Sequence, residues 1–435
     1  MSATNLLWTN AELVPSGKRL LESMMDKANV DKACRHVVRN NGSPGIDRMT
    51  VKELPSWLQR NFTQLQTTVL AGTYRPSAVK LKEIDKIGGG KRQLGIPTVI
   101  DRMLQQALHQ VMNPLFEPIF SERSYGYRQG RSPHQAVLSA RNFQREGMRY
   151  VVDVDLSKFF DTVSHDVLIA LIKRRVGDRR IWRLIDLYLK SGIMAEGVII
   201  QREKGTPQGS PLSPLLSNIM LNELDTELEK RGHSFCRYAD DFSIYVRSLK
   251  SGERVLRSIT SFIENKLKLK VNLDKSAVDK ASRRNFLGYG FTSELRTRLR
   301  VPKERILRFR KKMKEEFRRG KGRNMERFIR ENLNPKIRGW ANYYKQAETK
   351  NFYKELDVWI RRRLRLIKWR QWIRPSTRFK YLRKAGCTKE QALMSAYNNR
   401  GCWWNSGHNF VKLSLPNNLF ARMGLISIEA VINQR

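Results

Sequence analysis

Two short acidic segments constrain this chain more than anything else in it. The run Phe235-Cys236-Arg237-Tyr238-Ala239-Asp240-Asp241-Phe242-Ser243-Ile244-Tyr245-Val246 sets two adjacent carboxylates between aromatic and β-branched flanks. Such flanks predict two short strands, with Asp filling a tight turn between them. A surface turn would account for an isolated Asp-Asp pair, but an upstream run, Tyr150-Val151-Val152-Asp153-Val154-Asp155-Leu156, repeats the theme. Alternate residues of a strand share a face, so Val152, Val154 and Leu156 are expected to face a core while Asp153 and Asp155 face the other way. Aspartates on a working face backed by aliphatics suit a divalent cation held against phosphate oxygens, because Mg²⁺ prefers hard oxygen ligands and completes its shell with water and substrate. Asp155, Asp240 and Asp241 would suffice for two ions roughly 4 Å apart, which can activate an attacking hydroxyl and steady a leaving pyrophosphate.

The charge balance names the kind of partner. With 83 Lys+Arg against 41 Asp+Glu the formal charge is +42, which calls for a polyanion. The stretch 296–384 alone holds 32 basic and 8 acidic residues. Within it Leu356, Trp359, Ile360, Leu364 and Ile367 keep helical spacing while Arg361, Arg362, Arg363 and Arg365 cover the remaining sides, a basic amphipathic helix. Nucleic acid is the first candidate and an anionic membrane the second. The membrane reading weakens because no run approaches 18 apolar residues and Met1–Trp8 lacks a charged segment followed by an apolar one, so a soluble intracellular protein is expected. Cys34, Cys236, Cys387 and Cys402 are scattered, with neither a C-x-x-C pair nor a disulfide framework.

The remaining signals fall in order around the acidic strands. Residues 1–80 read as helical, interrupted by the loop Asn40–Asp47. Val79–Ile84 and Arg92–Pro97 read as a hairpin turned at Gly88-Gly89-Gly90, with Lys86 and Arg92 beside the turn. A helix is expected over 98–120, ending near Pro114. Ser124–Ser132 interleaves aromatics with Arg128 and Arg131. After Asp155 come Phe159, Phe160 and Asp161, then Ser164 as the N-cap of a helix over 165–175. Thr206-Pro207-Gln208-Gly209 leads into a helix over Leu212–Lys230, and Leu267–Asn272 alternates like a strand before Lys275. Read singly, each has an ordinary explanation: a core Phe, a solvated Lys, a connecting loop.

Together these motifs resemble the reverse transcriptase/maturase encoded by bacterial group II introns, particularly the class C type lacking an endonuclease: Tyr238-Ala239-Asp240-Asp241, the Asp155 strand followed by Phe160-Asp161, and the Thr206-Pro207-Gln208-Gly209 loop, in that order. The chain departs from the family pattern at Asp85, where Pro is frequent, and at Gln129, also a Pro. The resemblance implies an α+β right-hand polymerase: fingers and palm with an N-terminal extension over 1–295, a helical thumb over 296–374 and a small DNA-binding-like domain over 375–435. It implies that Lys86, Arg92, Phe160, Gln208 and Lys275 bind the nucleotide, with the Phe160 ring under the sugar and excluding a 2′-hydroxyl. Arg128, Arg131, Arg361, Arg362, Arg363 and Arg365 would grip nucleic acid. The expected chemistry is copying RNA into DNA with two Mg²⁺ ions, Mn²⁺ being a substitute. Expected partners are deoxynucleoside triphosphates, an RNA template, the RNA/DNA primer-template duplex, host intron RNA and target DNA, in the cytoplasm and on the nucleoid of a bacterium. Two alternatives stay open: a related reverse transcriptase serving repair or phage defence, and an RNA-binding splicing cofactor with little polymerase activity.

Overall fold

Thr98 begins the helix around which the N-terminal part of the chain is wrapped. Its hydroxyl accepts from the Asp101 amide at 3.1 Å and donates to the Asp101 carboxylate at 2.6 Å, satisfying an amide that the first turn leaves without a partner. The helix Val99–Phe116 buries Met103, Leu104, Ala107 and Leu108 as their spacing predicts, and also Asp101, Arg102, Gln105 and Gln106. It is therefore enclosed nearly all round rather than on one stripe. Three of these buried polar groups have clear partners: Asp101 also accepts from the Tyr74 hydroxyl (2.7 Å) and the Ser77 amide (3.2 Å), Arg102 donates to Ser43 O at 2.7 Å, and Gln105 accepts from the Ser210 hydroxyl. Pro114 is accommodated inside the last turns, and the helix runs on to Phe116.

The computed structural model describes residues 20–433 except 86–90, 196–197, 201–203 and 206–208. It divides into two compact units, Met1–Lys280 and Ala281–Arg435. The sequence reading set its boundaries at 295 and 374; the strands Asn285–Phe286 and Tyr289–Phe291 belong to the second unit.

In the first unit the strands Ser234–Tyr238, Asp241–Val246, Tyr150–Val154 and Ala277–Lys280 lie side by side in that order, all antiparallel. Tyr150–Val154 is central, and the expected alternation holds for Val152, Val154 and Leu156, all buried. Val151, on the aspartate side, is just as buried, because the helix Pro133–Arg145 covers that side: its Phe143 ring lies 5.7 Å from the ring of Tyr245, Val151's cross-strand partner. Along this face the pairs grade from Val151↔Tyr245 to Asp153↔Ser243. The last pair is Val154↔Phe242, and Asp155 and Asp241 are the next residues at that end. The sheet therefore turns polar only at its open end. The opposite face carries the helix Leu249–Asn265, through Val255, Ile259 and Ile263.

A second sheet pairs Lys91–Ile96 with Val79–Asp85, then Ile193–Ala195 in parallel, then Val198–Ile200. The alternating run Leu267–Asn272 does not join either sheet. Leu267, Leu269 and Val271 are buried and the lysines between them exposed, but only one bridge forms, Leu156↔Val271, and Lys268 at φ +56° breaks the extended chain.

The second unit is mainly helical. Lys303–Arg319, Asn334–Tyr343, Asn351–Gln371 and Pro375–Lys384 are its longer helices, with a π-helical turn at Ile329–Leu333. Asp357, buried on the longest of them, caps the helix Ile428–Asn433: it accepts from the Ser427 hydroxyl at 2.6 Å and the Ile428 and Glu429 amides at 2.9 and 3.2 Å.

Candidate active site

Strand pairing carries Tyr238 and Asp241 opposite each other, so the turn between the strands consists of Ala239 and Asp240 alone. Ala239 sits at φ +58°, a conformation that costs a non-glycine residue about 1–2 kcal/mol. Ala239 is buried, Asp240 half-buried and Asp241 exposed, so the turn presents its carboxylates outward. Asp155 follows the central strand, and its backbone is fixed from the neighbouring loop. Its amide donates to the Ser276 hydroxyl at 3.0 Å and its carbonyl accepts from the Asn272 amide at 2.8 Å. Asp153 accepts from the Ser243 hydroxyl at 2.7 Å, one pair further into the sheet.

The cluster strains against its own charge. Asp241 is pushed up to about 6, by burial and by the like charges of Asp240, Asp155 and Asp153. Since Asp241 as a residue remains exposed, the crowding of carboxylates carries more weight than dryness. Among the described residues no three acidic, His or Cys side chains are gathered as a metal cage. The donor set nevertheless suits a divalent cation: hard oxygens, an excess of negative charge, and an open mouth with room for water and substrate oxygens.

The cluster opens into a cleft with two lobes. One, about 590 Å³, is lined by Asp155, Phe160, Asp161, Asp240, Asn272, Lys275, Glu83 and Lys91 among others. The second, about 730 Å³, includes Phe160, Asp240, Tyr127, Ser210, Leu94 and Arg102. Phe160 and Asp240 are common to both. Phe160 is half-buried and edge-on to the buried Phe159 at 5.2 Å. Its short helix, Phe159–Thr162, is held by the segment entering the Gly209 loop: the Gly205 amide donates to Val163 O at 2.9 Å, and His165 Nε2 lies 2.7 Å from Gly205 O. Ser164 caps the next helix, His165–Lys173, accepting from the Val167 amide.

Of the other expected nucleotide contacts, Lys86 and Gln208 lie outside the described residues, as does the Arg92 side chain; the Arg92 backbone pairs with Ile84 in the hairpin. Lys275 is exposed and lines the smaller lobe. Lys91, which the sequence reading passed over, also lines it and pairs with Glu83 at 2.6 Å.

Several expected nucleic-acid contacts have other work. Arg128 is buried, donating to Glu117 at 2.8 Å, to Ser124 O at 2.9 Å and to Ser121 O; its guanidinium is committed to the protein interior rather than to a phosphate. Arg131 pairs with Glu122 at the surface. In the second unit Arg365 is buried and donates to Leu415 O at 2.9 Å and Asn417 Oδ1 at 2.8 Å, and burial, with Arg361 nearby, pushes it down to about 10. Arg362 and Arg363 stack over the Trp403 ring at 4.0 and 4.4 Å. Arg361 remains half-buried at the surface. The basic side of this helix is thus largely a seat for residues 403–420 rather than a solvated face.

Comparison with known proteins gives the family. Residues 84–291 match the family model "Reverse transcriptase (RNA-dependent DNA polymerase)" and residues 306–386 match "Group II intron, maturase-specific domain". Protein YkfC of Escherichia coli K12 is 32% identical over 301 residues, covering 60% of this chain and 79% of its own. The group II intron-encoded protein LtrA of Lactococcus lactis subsp. cremoris is 30% identical over 286 residues, covering 50% of this chain and 47% of its own. This chain thus spans about half the length of LtrA. Among solved structures, a chain of a partial Cas6-RT-Cas1--Cas2 complex is 30% identical with a TM-score of 0.37, covering 58% of this chain and 43% of that one, a superposition too loose to argue from. The chain belongs to the reverse transcriptases that carry a group II intron maturase domain, a class of RNA-directed DNA polymerases whose family uses divalent metal ions.

Proposed function

We propose that this chain extends a DNA primer on an RNA template by nucleotidyl transfer at Asp155, Asp240 and Asp241, with Mg²⁺ as the natural ion and Mn²⁺ able to replace it. The observation that supports the reading is the strand register, whose last pair Val154↔Phe242 leaves Asp155 and Asp241 as the next residues at the same end of the central sheet, beside the Asp240 turn. When bound, the ions supply an activated primer hydroxyl and neutralise the departing pyrophosphate. The three carboxylates hold them. Phe160, shared by both lobes, lies under the incoming sugar and leaves no room for a 2′-hydroxyl. Lys275 reaches the triphosphate as a point charge, and Lys86, Arg92 and Gln208 complete the nucleotide site by correspondence with the family. Template and duplex are held by the remaining basic surface, to which the half-buried Arg131 and Arg361 contribute.

A second activity, assistance to splicing of a host group II intron RNA and its insertion into target DNA, is supported by the maturase-specific match over 306–386. No described helix is long and apolar enough to cross a membrane, in keeping with work in the bacterial cytoplasm on nucleoid DNA. Primer extension on an RNA template, with wild type beside Asp155→Asn and Asp240→Asn, tests the polymerase. Extension by wild type alone is expected, and equal extension by the variants would remove these residues from the site.

A further inference from the structure

We infer that Arg237 is a positioning residue for the carboxylate turn, holding the Ala239 carbonyl from inside the sheet and so fixing where Asp240 stands. The inference rests on the polymerase reading above.

Arg237 precedes Tyr238-Ala239-Asp240-Asp241 and has no exposed surface. Its Nε donates to both Asp225 carboxylate oxygens at 2.8 and 3.0 Å, and one terminal nitrogen donates to Asp225 Oδ2 at 2.6 Å. The other terminal nitrogen donates to Asn218 Oδ1 at 3.0 Å and to Ala239 O at 3.1 Å. Asn218 and Asp225 are two turns apart on the helix Ser213–Lys230 and so share a face. Asn218 in turn donates to Gly126 O at 2.9 Å. Gly126 packs backbone-to-backbone against the turn: a Cβ there would stand 2.2 Å from the Ala239 nitrogen. The helix that carries Asn218 and Asp225 also sets Ser213 and Pro214 in the cleft wall beside Asp240. Wall and turn therefore share one support.

Stability alone does not call for this arrangement, since a buried ion pair can often be exchanged for packed apolar residues without loss. What apolar residues cannot do is donate to the carbonyl of Ala239, the one turn residue at positive φ. A lysine, with one point charge on a flexible stem, cannot serve Asp225, Asn218 and Ala239 at once, whereas the planar fork of arginine can.

Two variants test the inference: Arg237→Lys, and the double replacement Arg237→Met with Asp225→Leu, which leaves no charge buried. Each is measured for melting temperature, Mn²⁺ affinity by titration, the Mg²⁺ concentration at half-maximal rate, kcat and the nucleotide KM on an RNA template. Loss of positioning lowers kcat and metal affinity each by about 10–100-fold, the effect of removing a group that orients a ligand, with the nucleotide KM within about twofold. Should Arg237→Lys fail to fold, the double variant decides. A folded double variant with wild-type Mn²⁺ affinity and kcat would overturn the inference, as would a lower kcat with an unmoved metal midpoint. A wild-type chain that binds Mn²⁺ yet extends no primer would sink the polymerase reading instead, which keeps the two failures apart.

Discussion

Replacing Arg365 by Met separates an arginine that holds the protein together from one that holds nucleic acid. The substitution keeps an unbranched apolar stem but leaves Leu415 O and Asn417 Oδ1 without their donor, and it removes a cation lying 5.8 Å from the centre of the Phe420 ring. Hydrogen bonds from a charged donor contribute about 1.5–3 kcal/mol each. Asn417 is exposed and can turn to water, so the loss is about 2–4 kcal/mol by the same scale. For a unit of this size, 1 kcal/mol corresponds to about 2–4 °C, so a transition lowered by roughly 5–10 °C is expected in scanning calorimetry of the full chain. Binding to an RNA/DNA duplex, measured at several salt concentrations, should keep its log–log slope. Arg361→Met should do the reverse, leaving the melting temperature in place and flattening the slope by about 0.7–0.9, the value of one phosphate contact. An Arg365→Met chain with an unmoved melting temperature and a flatter slope would refute the reasoning and return its guanidinium to the duplex.

Asp155→Asn and Asp240→Asn should abolish DNA synthesis while leaving RNA affinity in a gel-shift titration nearly unchanged, because the basic surface is untouched; a matching loss of affinity would make the aspartates structural. Phe160→Ala should admit ribonucleotides, read as a drop of at least about tenfold in the kcat/KM ratio of deoxy- over ribonucleotide, and an unaltered ratio would leave Phe160 a wall residue only. Asp241, pushed up to about 6 by burial and its neighbours, takes up a proton as pH falls through that value, so Mn²⁺ affinity should weaken between pH 7.5 and 5.5. Affinity that stays level across this range would remove Asp241 from the ligands. Asp240→Ala with Asp241→Ala should still promote splicing of a host intron at low Mg²⁺, whereas Lys311→Glu with Lys312→Glu should impair it through RNA affinity; splicing that depends on the aspartates would count against the maturase activity and favour a repair or defence role.

Much of this architecture was legible wherever one period governs a run of residues. Tyr150–Leu156 and Phe235–Val246 read as strands because β-branched and aromatic residues alternate with polar ones, and the Asp240 turn read as a turn because little else suits adjacent carboxylates between such flanks. Ser164 was recognisable as a cap from its place before an apolar run. Alternation reports burial, however, and not pairing. Leu267–Asn272 buries every second residue but forms only the bridge Leu156↔Val271 among the described residues, since Lys268 at φ +56° breaks its extended chain. The covering of Val151 depends on Phe143, on a helix whose packing a local pattern does not reveal. The arginines were least legible: a phosphate and a backbone carbonyl attract the same guanidinium, and the acceptors that claim Arg365 come 50 or more residues later. Arg237 left one sign, a lone cation between Cys236 and Tyr238; its partner Asp225, set among Glu223, Thr226 and Glu227, left none.

Gly252 carries a consequence for anyone who would redesign this enzyme. A methyl group at that position would stand 2.4 Å from a Val278 methyl and 3.4 Å from methyls of Val152 and Val246, one on each of three neighbouring strands. At Gly252 the helix Leu249–Asn265 thus packs against these three valines with no room for a side chain, and two of those strands run straight to Asp155 and Asp241. The back of the sheet is a datum surface with no slack, so substitutions there displace both carboxylates together. Libraries aimed at new substrates or ions therefore have their usable freedom on the cleft side, in the walls around Phe160, Tyr127 and Lys275, and almost none behind it.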